Sequence, residues 1–455
     1  MAEISERKRI FGWMMFDWAS QPYATLLLTF IFGPYFAAIV ADSLMAGGVA
    51  EGAADARAQT MWSLGQTIAG LIVAFSAPFL GAIADVSGRR MPWIWAFSAL
   101  YVIGAGALWW TYPDASTATL MLVAFGIGFI GLEFTTIFTN ALLPDLGARD
   151  EVGAISGSGF ALGYAGGVVS LVIMLLLFVE QASGTTLIGL APLFGLDPAA
   201  REGTRFVGPF TAIWFVLFMA FFFAWVREPA TPANKRVTIR SALLGLKQTL
   251  FSLKARRSLA AYLGSSLMYR DALNGLYGFG GVYATLVLDW SITQIGIFGI
   301  VGAITAAIVS WIGGRADRAF GPKPVILTCI LVLIAVCTII VGMTREALFG
   351  IPLPPGSGLP DTLFYICGAV IGGAGGALQA ASRSMMVRHA DPARPTEAFG
   401  LYALSGKATA FLAPALIGLA TYITGSARLG VSPLILLFLI GLILLVWVNP
   451  LGDTE

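Results

Sequence analysis

The stretch Gly81-Ala82-Ile83-Ala84-Asp85-Val86-Ser87-Gly88-Arg89-Arg90 decides the fold, because it recurs 232 residues later, from Gly313, as Gly313-Gly314-Arg315-Ala316-Asp317-Arg318-Ala319-Phe320-Gly321-Pro322-Lys323. Each copy follows the second apolar run of its half of the chain. Both read as turns at the cytoplasmic face. The glycine lets a neighbouring helix approach, the aspartate suits backbone donors at a helix N-terminus, and the basic residues hold the turn against an anionic leaflet. One copy is weak evidence. Two copies at corresponding positions describe a repeat about an axis along the membrane normal, an arrangement that encloses a site at the midplane.

The rest of the chain agrees. Of its 455 residues 57% are hydrophobic and 11% charged, whereas soluble domains carry about 25% charged residues. Such a composition cannot cover a water-facing surface. Apolar runs of a length fitting a hydrocarbon layer about 30 Å thick predict an all-α polytopic membrane protein of twelve transmembrane helices. They lie near 11–41, 60–84, 92–112, 118–143, 153–179, 206–226, 259–288, 292–312, 324–343, 362–387, 397–423 and 432–449. They divide into two pseudo-symmetric six-helix bundles, 1–226 and 259–455, joined by a basic linker, 227–258. Within that linker Leu243, Leu246, Leu250 and Leu253 have helical spacing beside Arg240, Lys247 and Lys254. That pattern suits either a helix lying on the membrane or a run that only fixes orientation.

Basic residues orient the chain. Outside fall Arg57, Arg201, Arg205, Arg345 and Arg428, and within spans Arg270, Arg383 and Lys407; the other 19 of the 27 Lys and Arg lie on one side. The positive-inside rule makes that side cytoplasmic, with both termini there. The first apolar run has no small-residue cleavage site and contains Asp17, so it reads as a retained helix. Bacterial inner membrane is the expected location. The net charge of +2 points to no nucleic acid. Cys329, Cys337 and Cys367 lie in apolar runs without metal-ligand spacing and read as packing residues.

These residues resemble the major facilitator superfamily, whose signature between its second and third helices is G-x-x-x-D-x-x-G-R-[RK]. Residues 81–90 match it fully; the second copy has one extra residue between Asp317 and Gly321. FDWASQPYATLLLTFIFGPYF at 16–36, NALLPDLG at 140–147, GGALQAASRSMMVRHADP at 375–392 and EAFGLYALSGKATAFLAPALIG at 397–418 narrow the likeness to the autophagy-related vacuole effluxer-like family and its bacterial relatives. The resemblance implies secondary transport, with amino-acid efflux attributed to the fungal vacuolar members.

Six ionisable residues lie inside the spans: Asp17, Glu133, Arg270, Asp271, Arg383 and Lys407. Each costs about 2.5–3.5 kcal/mol at a helix centre facing lipid, so they face one another or water. They sit on helices 1, 4, 7, 10 and 11, and none on 3, 6, 9 and 12. In the fold resembled, helices 1, 4, 7 and 10 line the cavity. At 1.5 Å per residue, Glu133, Asp271 and Lys407 lie about 15–18 Å from the cytoplasmic ends, near the midplane. Asp17 and Arg383 are shallower and suit a cytoplasmic gate.

One reading makes Glu133, Arg270, Asp271 and Lys407 a substrate and proton site; another makes them permanent ion pairs between the halves. Asp17, Gln379 and Asn274 join the candidate site residues. With His389 the sole histidine and read as lying in a loop, a coupled proton falls to a carboxylate, Glu133 or Asp271. Gly81, Asp85, Gly88, Arg89, Arg90, Gly313, Asp317, Arg318 and Arg383 make up the candidate gating set. Gln21, Asn140, Tyr164 and Tyr402 suit either ligand or interhelical hydrogen bonds. The glycines from Gly153 to Gly167 suit close helix packing.

No Walker-type, HExxH or GxSxG motif occurs in a supporting context. The expectation is a monomeric secondary transporter without cofactor or metal, moving a small polar, zwitterionic or anionic solute, amino-acid-like, with protons as coupling ion. The alternatives are a membrane-embedded lipid-modifying enzyme and a channel or transport-like sensor.

Overall fold

A computed structural model of the chain describes residues 4–228, 253, 255–290, 292–407 and 410–453. The surface-helix reading of 239–253 falls almost wholly outside them. The architecture is all-α apart from one hairpin, β1 (Ala347–Leu348) paired antiparallel with β2 (Ile351–Pro352). Among the described residues, eleven helices are long and apolar enough to cross a membrane: α1 (Glu6–Ala46), α2 (Glu51–Ser87), α3 (Met91–Trp110), α4 (Ala115–Asp145), α5 (Val152–Leu177), α6 (Glu202–Trp225), α8 (Gln294–Phe320), α9 (Pro322–Gly342), α10 (Leu359–His389), α11 (Pro395–Thr424) and α12 (Arg428–Val446). A twelfth, α7 (Arg257–Leu288), has the length. Arg270, Asp271, Asn274 and its glycines dilute its apolarity, as befits a helix with an interior polar face.

Helices outrun the apolar runs that announce them. α2 begins at Glu51, nine residues before its apolar stretch, because Ala-rich sequence around Asp55 and Arg57 propagates a helix beyond the hydrocarbon layer. Large apolar side chains remain exposed along the helices, Ile213, Val216 and Leu217 on α6 among them. In lipid they need no burial. Association rests instead on small residues: a Cβ at Gly104 would collide with Gly128, and one at Gly372 with Gly302.

Two helices depart from regularity. In α1 the turns widen to π geometry over Tyr23–Phe30, directly after Pro22, which cannot donate a backbone bond. Tyr23 there donates to the Phe125 carbonyl at 2.5 Å. The described residues of α11 are helical over Pro395–Lys407 and again over Leu412–Thr424, with Ala410 and Phe411 in a turn before the second piece. Pro414, third in the second piece, lacks an N–H and crowds the carbonyl of residue 410, which accounts locally for the interruption.

By packing, the chain forms two compact units. The first comprises Met1–Val73, Gly88–Thr139 and Leu162–Ala233; the second comprises Ala74–Ser87, Asn140–Ala161 and Asn234–Glu455. The second unit thus holds the last turns of α2 and the α4–α5 connection together with the C-terminal helices.

Candidate functional site

Arg270 and Asp271 are adjacent on α7 and so diverge by about 100°. Each meets a different piece of α11. The Asp271 carboxylate accepts the Ala413 N–H through Oδ2 at 2.9 Å, in the first turn of the second piece, where Phe411 supplies no side-chain cap. Arg270 donates through Nη1 to the Tyr402 carbonyl at 3.0 Å, within the first piece. Its guanidinium lies 4.0 Å from the centre of the Tyr402 ring. Gly406 makes room for it, since a Cβ there would stand 2.6 Å from the guanidinium.

An anion faces a helix N-terminus, which is the favourable orientation for that dipole, while the cation sits against the ring and carbonyl of Tyr402 within the first piece. A break inside a membrane leaves backbone groups whose loss of partners costs several kcal/mol each. The Asp271 carboxylate offsets part of that cost at Ala413. Asp271 is 1% exposed, and among the described residues its Oδ1 has no hydrogen-bond partner. Half-buried Lys407 lies on the first piece. Of the other sequence-predicted residues, Asn274 is exposed on α7 and Gln379 half-buried on α10. Asp17 and Glu133 are half-buried members of the first unit. Gly163 packs over Asp17, whose carbonyl oxygen a Cβ would approach to 3.2 Å.

Gly81 to Asp85 and the whole second copy lie within the second unit, and their setting corrects the reading of them as turns. Gly81 to Asp85 and Gly313 to Asp317 are helical, in the last turns of α2 and α8. The chain turns only at Gly88 and Gly321, with φ of +66° and +84°, a conformation that glycine adopts without steric cost. The extra residue of the second copy therefore only lengthens the helix. Asp85 accepts the N–H groups of Thr396 at 3.1 Å and Glu397 at 2.7 Å, capping α11. Gly81 permits this approach, because a Cβ there would lie 2.6 Å from the Thr396 carbonyl oxygen.

The second copy meets a helix start by packing rather than capping. Asp317 lies against Gly153 at the start of α5, where any Cβ would collide with its carboxylate. Arg388 stands 3.9 Å away. Gly157 and Gly314 pack backbone to backbone, a Cβ on Gly157 falling 2.5 Å from the Gly314 Cα. Arg318 pairs with Glu151 at 3.3 Å.

Arg383, buried on α10, joins the same face. Its Nε donates to Ser156 Oγ at 2.9 Å, Nη2 to the Ser156 carbonyl at 2.8 Å, and Nη1 to Asn140 Oδ1 at 3.2 Å. Its guanidinium sits 4.3 Å from the Phe160 ring centre. Asn140, a candidate ligand contact by sequence, here serves Arg383.

His389 is not in a loop. It ends α10, 1% exposed, with Nε2 2.7 Å from Ser258 Oγ and Nδ1 3.0 Å from the Met385 carbonyl. Two further carboxylate caps escaped sequence reasoning. Glu228 accepts the N–H groups of Arg90 at 2.6 Å and Met91 at 3.2 Å, at the start of α3. Asp453 accepts those of Ser258 at 2.8 Å and Leu259 at 3.0 Å, at the start of α7. Each acid lies far in sequence from the helix it caps, so no local capping pattern betrays it. Arg89 is exposed.

Comparison with known proteins fits this architecture. Residues 5–451 match the family described as vacuole effluxer Atg22 like. The uncharacterized MFS-type transporter YxiO of Bacillus subtilis (strain 168) is 25% identical over 448 residues, 98% of this chain and 95% of that protein. Autophagy-related protein 22-2 of Aspergillus oryzae (strain ATCC 42149 / RIB 40) is 26% identical over 309 residues, 62% of this chain and 48% of that one, so the match spans about half of that relative. Among solved structures, the human organic anion transporter MFSD10 (TETRAN) has a TM-score of 0.69 at 16% identity, covering 97% of this chain and 100% of that one. The proton:xylose symporter XylE has 0.68 at 13% identity, covering 97% and 94%. These are transporters rather than enzymes, which removes the lipid-modifying alternative. The chain belongs to the Atg22-like vacuole effluxer family, and it is an integral membrane transporter with the major facilitator fold.

Proposed function

We propose that the protein is a secondary active transporter of a small zwitterionic or anionic solute, amino-acid-like in its pairing of opposite charges, working by alternating access. The observation that carries this reading is the interruption of α11 between Arg270 and Asp271. There a cation, an anion and the backbone N–H groups of a helix start converge, a setting suited to a carboxylate and an ammonium on one ligand. Binding that solute draws on the charges beside the break, so occupancy and the geometry of α11 are linked.

Asp271 is the proposed proton carrier, with its uncommitted Oδ1 as the protonation site, and Glu133 a second titratable group in the cycle. Lys407, Gln379 and Asn274 assist at the substrate, Asp17 and Arg383 at the gate. The Gly-x-x-x-Asp copies act as latches, released as the halves rock. Bacterial inner membrane, cytoplasmic termini, a monomeric state and the six-helix bundles 1–226 and 259–455 belong to the same proposal.

The test is flux in proteoliposomes. Uptake of a labelled amino acid or small carboxylate that saturates and accumulates against its gradient when a proton gradient is imposed supports the reading. Conductance in single-channel records, without saturation, favours a pore and rejects it. Thermal-shift screening selects the solutes to assay, since a ligand raises apparent stability by mass action.

A further inference from the structure

The connection between α5 and α6 carries a run without charge from Gln181 to Leu196, QASGTTLIGLAPLFGL. Its apolar side chains are turned outward. Leu187, Ile188 and Leu190 are each at least half exposed, and Phe194 is 78% exposed. Phe194 is held there at a φ of +63°, a left-handed conformation unusual for a bulky residue. Water-facing loops are seldom built this way.

Beneath the apolar tip lies a polar clamp. Buried Glu180 accepts the Thr204 N–H at 3.0 Å and the Thr204 hydroxyl at 2.5 Å, and pairs with Arg201 Nε at 2.9 Å. The loop folds back over the helix end rather than away from it: the Leu187 N–H donates to the Leu175 carbonyl at 3.2 Å, inside the last turn of α5. Phe194 packs against Phe178 and Phe206 at ring separations of 5.7 and 6.2 Å. The tip's backbone is paired internally in part, with Thr186 N–H bonded to Leu190 carbonyl at 2.7 Å and Gly189 N–H to Thr186 carbonyl at 2.8 Å.

We infer that Leu187–Phe194 is an interfacial anchor that inserts into the lipid leaflet beside the ends of α5 and α6. Lipid is the occupant because the patch continues the exposed apolar surfaces of Val169 and Val172 on α5 and Ile213 and Leu217 on α6. Part of the tip's backbone is paired, an interfacial depth leaves the rest within reach of headgroup water, and the absence of charge removes the usual penalty. The anchor holds the outer end of the first unit at a fixed height in the bilayer.

The test uses the full chain in liposomes. Leu187→Cys and Phe194→Cys are labelled with an environment-sensitive maleimide, the three native cysteines being buried, and Ser183→Cys in the same connection is the aqueous reference. The anchor predicts blue-shifted emission at 187 and 194, quenching by lipids bearing a nitroxide near the headgroup, and little quenching by iodide. Iodide quenching equal to that at 183 overturns it. So does shielding from both quenchers with energy transfer between labelled molecules, which would place a second copy on the patch.

Discussion

Asp85 of α2 accepts the backbone N–H of Glu397 in α11 at 2.7 Å, so a carboxylate from the first half of the sequence caps a helix of the second. Asp317 of α8 packs its carboxylate against Gly153 at the start of α5, without, among the described residues, the backbone N–H contacts that Asp85 makes. The two copies pair alike in place but not in bonding. Each aspartate reaches the N-terminus of a helix in the other half, and both contacts exist only while this face is packed.

Removing the first cap shifts that equilibrium. Loss of a helix N-cap costs about 0.5–2 kcal/mol, so Asp85→Ala is expected to lower the packed population about 2- to 30-fold. Distances between spin labels on α2 and α11 would report it as a longer, broader distribution. An unchanged distribution would make the cap ornamental.

Glycine contacts make a sharper steric prediction. Gly157→Ala places a methyl 2.5 Å from the Gly314 Cα and the Ser310 carbonyl oxygen, where backbone cannot yield cheaply. Gly70→Ala meets nothing within 4 Å. Gly157→Ala should reduce transport severely while leaving expression near normal, and Gly70→Ala should leave both unaltered. Equal effects would contradict the close packing described.

Glu228 gives a stability test away from the candidate site. As the cap of α3 it contributes about 0.5–2 kcal/mol, so Glu228→Ala should lower the unfolding temperature, with Glu228→Asp intermediate. Scanning fluorimetry of the purified protein measures this. A Tm unaffected by Glu228→Ala would remove the cap from the account.

Much of this was legible because lipid imposes few solutions. Apolar length fixed where helices cross, and two Gly-x-x-x-Asp copies revealed the repeat. Polar extensions such as Glu51 to Gln59 were not legible, since helix continues in water on propensity alone. The division of labour between Arg270 and Asp271 was half visible: adjacency made them diverge, but their targets depend on where α11 breaks. Pro414 is the signal for that break in the sequence. Caps by Glu228 and Asp453 had no local signature at all. His389 illustrates the reverse error, a polar residue assigned to a loop because its burial depends on Ser258, 131 positions away.

The central claim is that Asp271 serves the transport cycle rather than only the helix break. Asp271→Asn keeps the shape and one acceptor for the Ala413 N–H but cannot exchange a proton. Once a transported solute is identified, the decisive measurement is its proton-driven accumulation, and its exchange without a gradient, in proteoliposomes of wild type and Asp271→Asn. The account predicts that the variant still binds and exchanges the solute but no longer accumulates it. Full accumulation by Asp271→Asn, at the wild-type rate and with the same dependence on external pH, would contradict it.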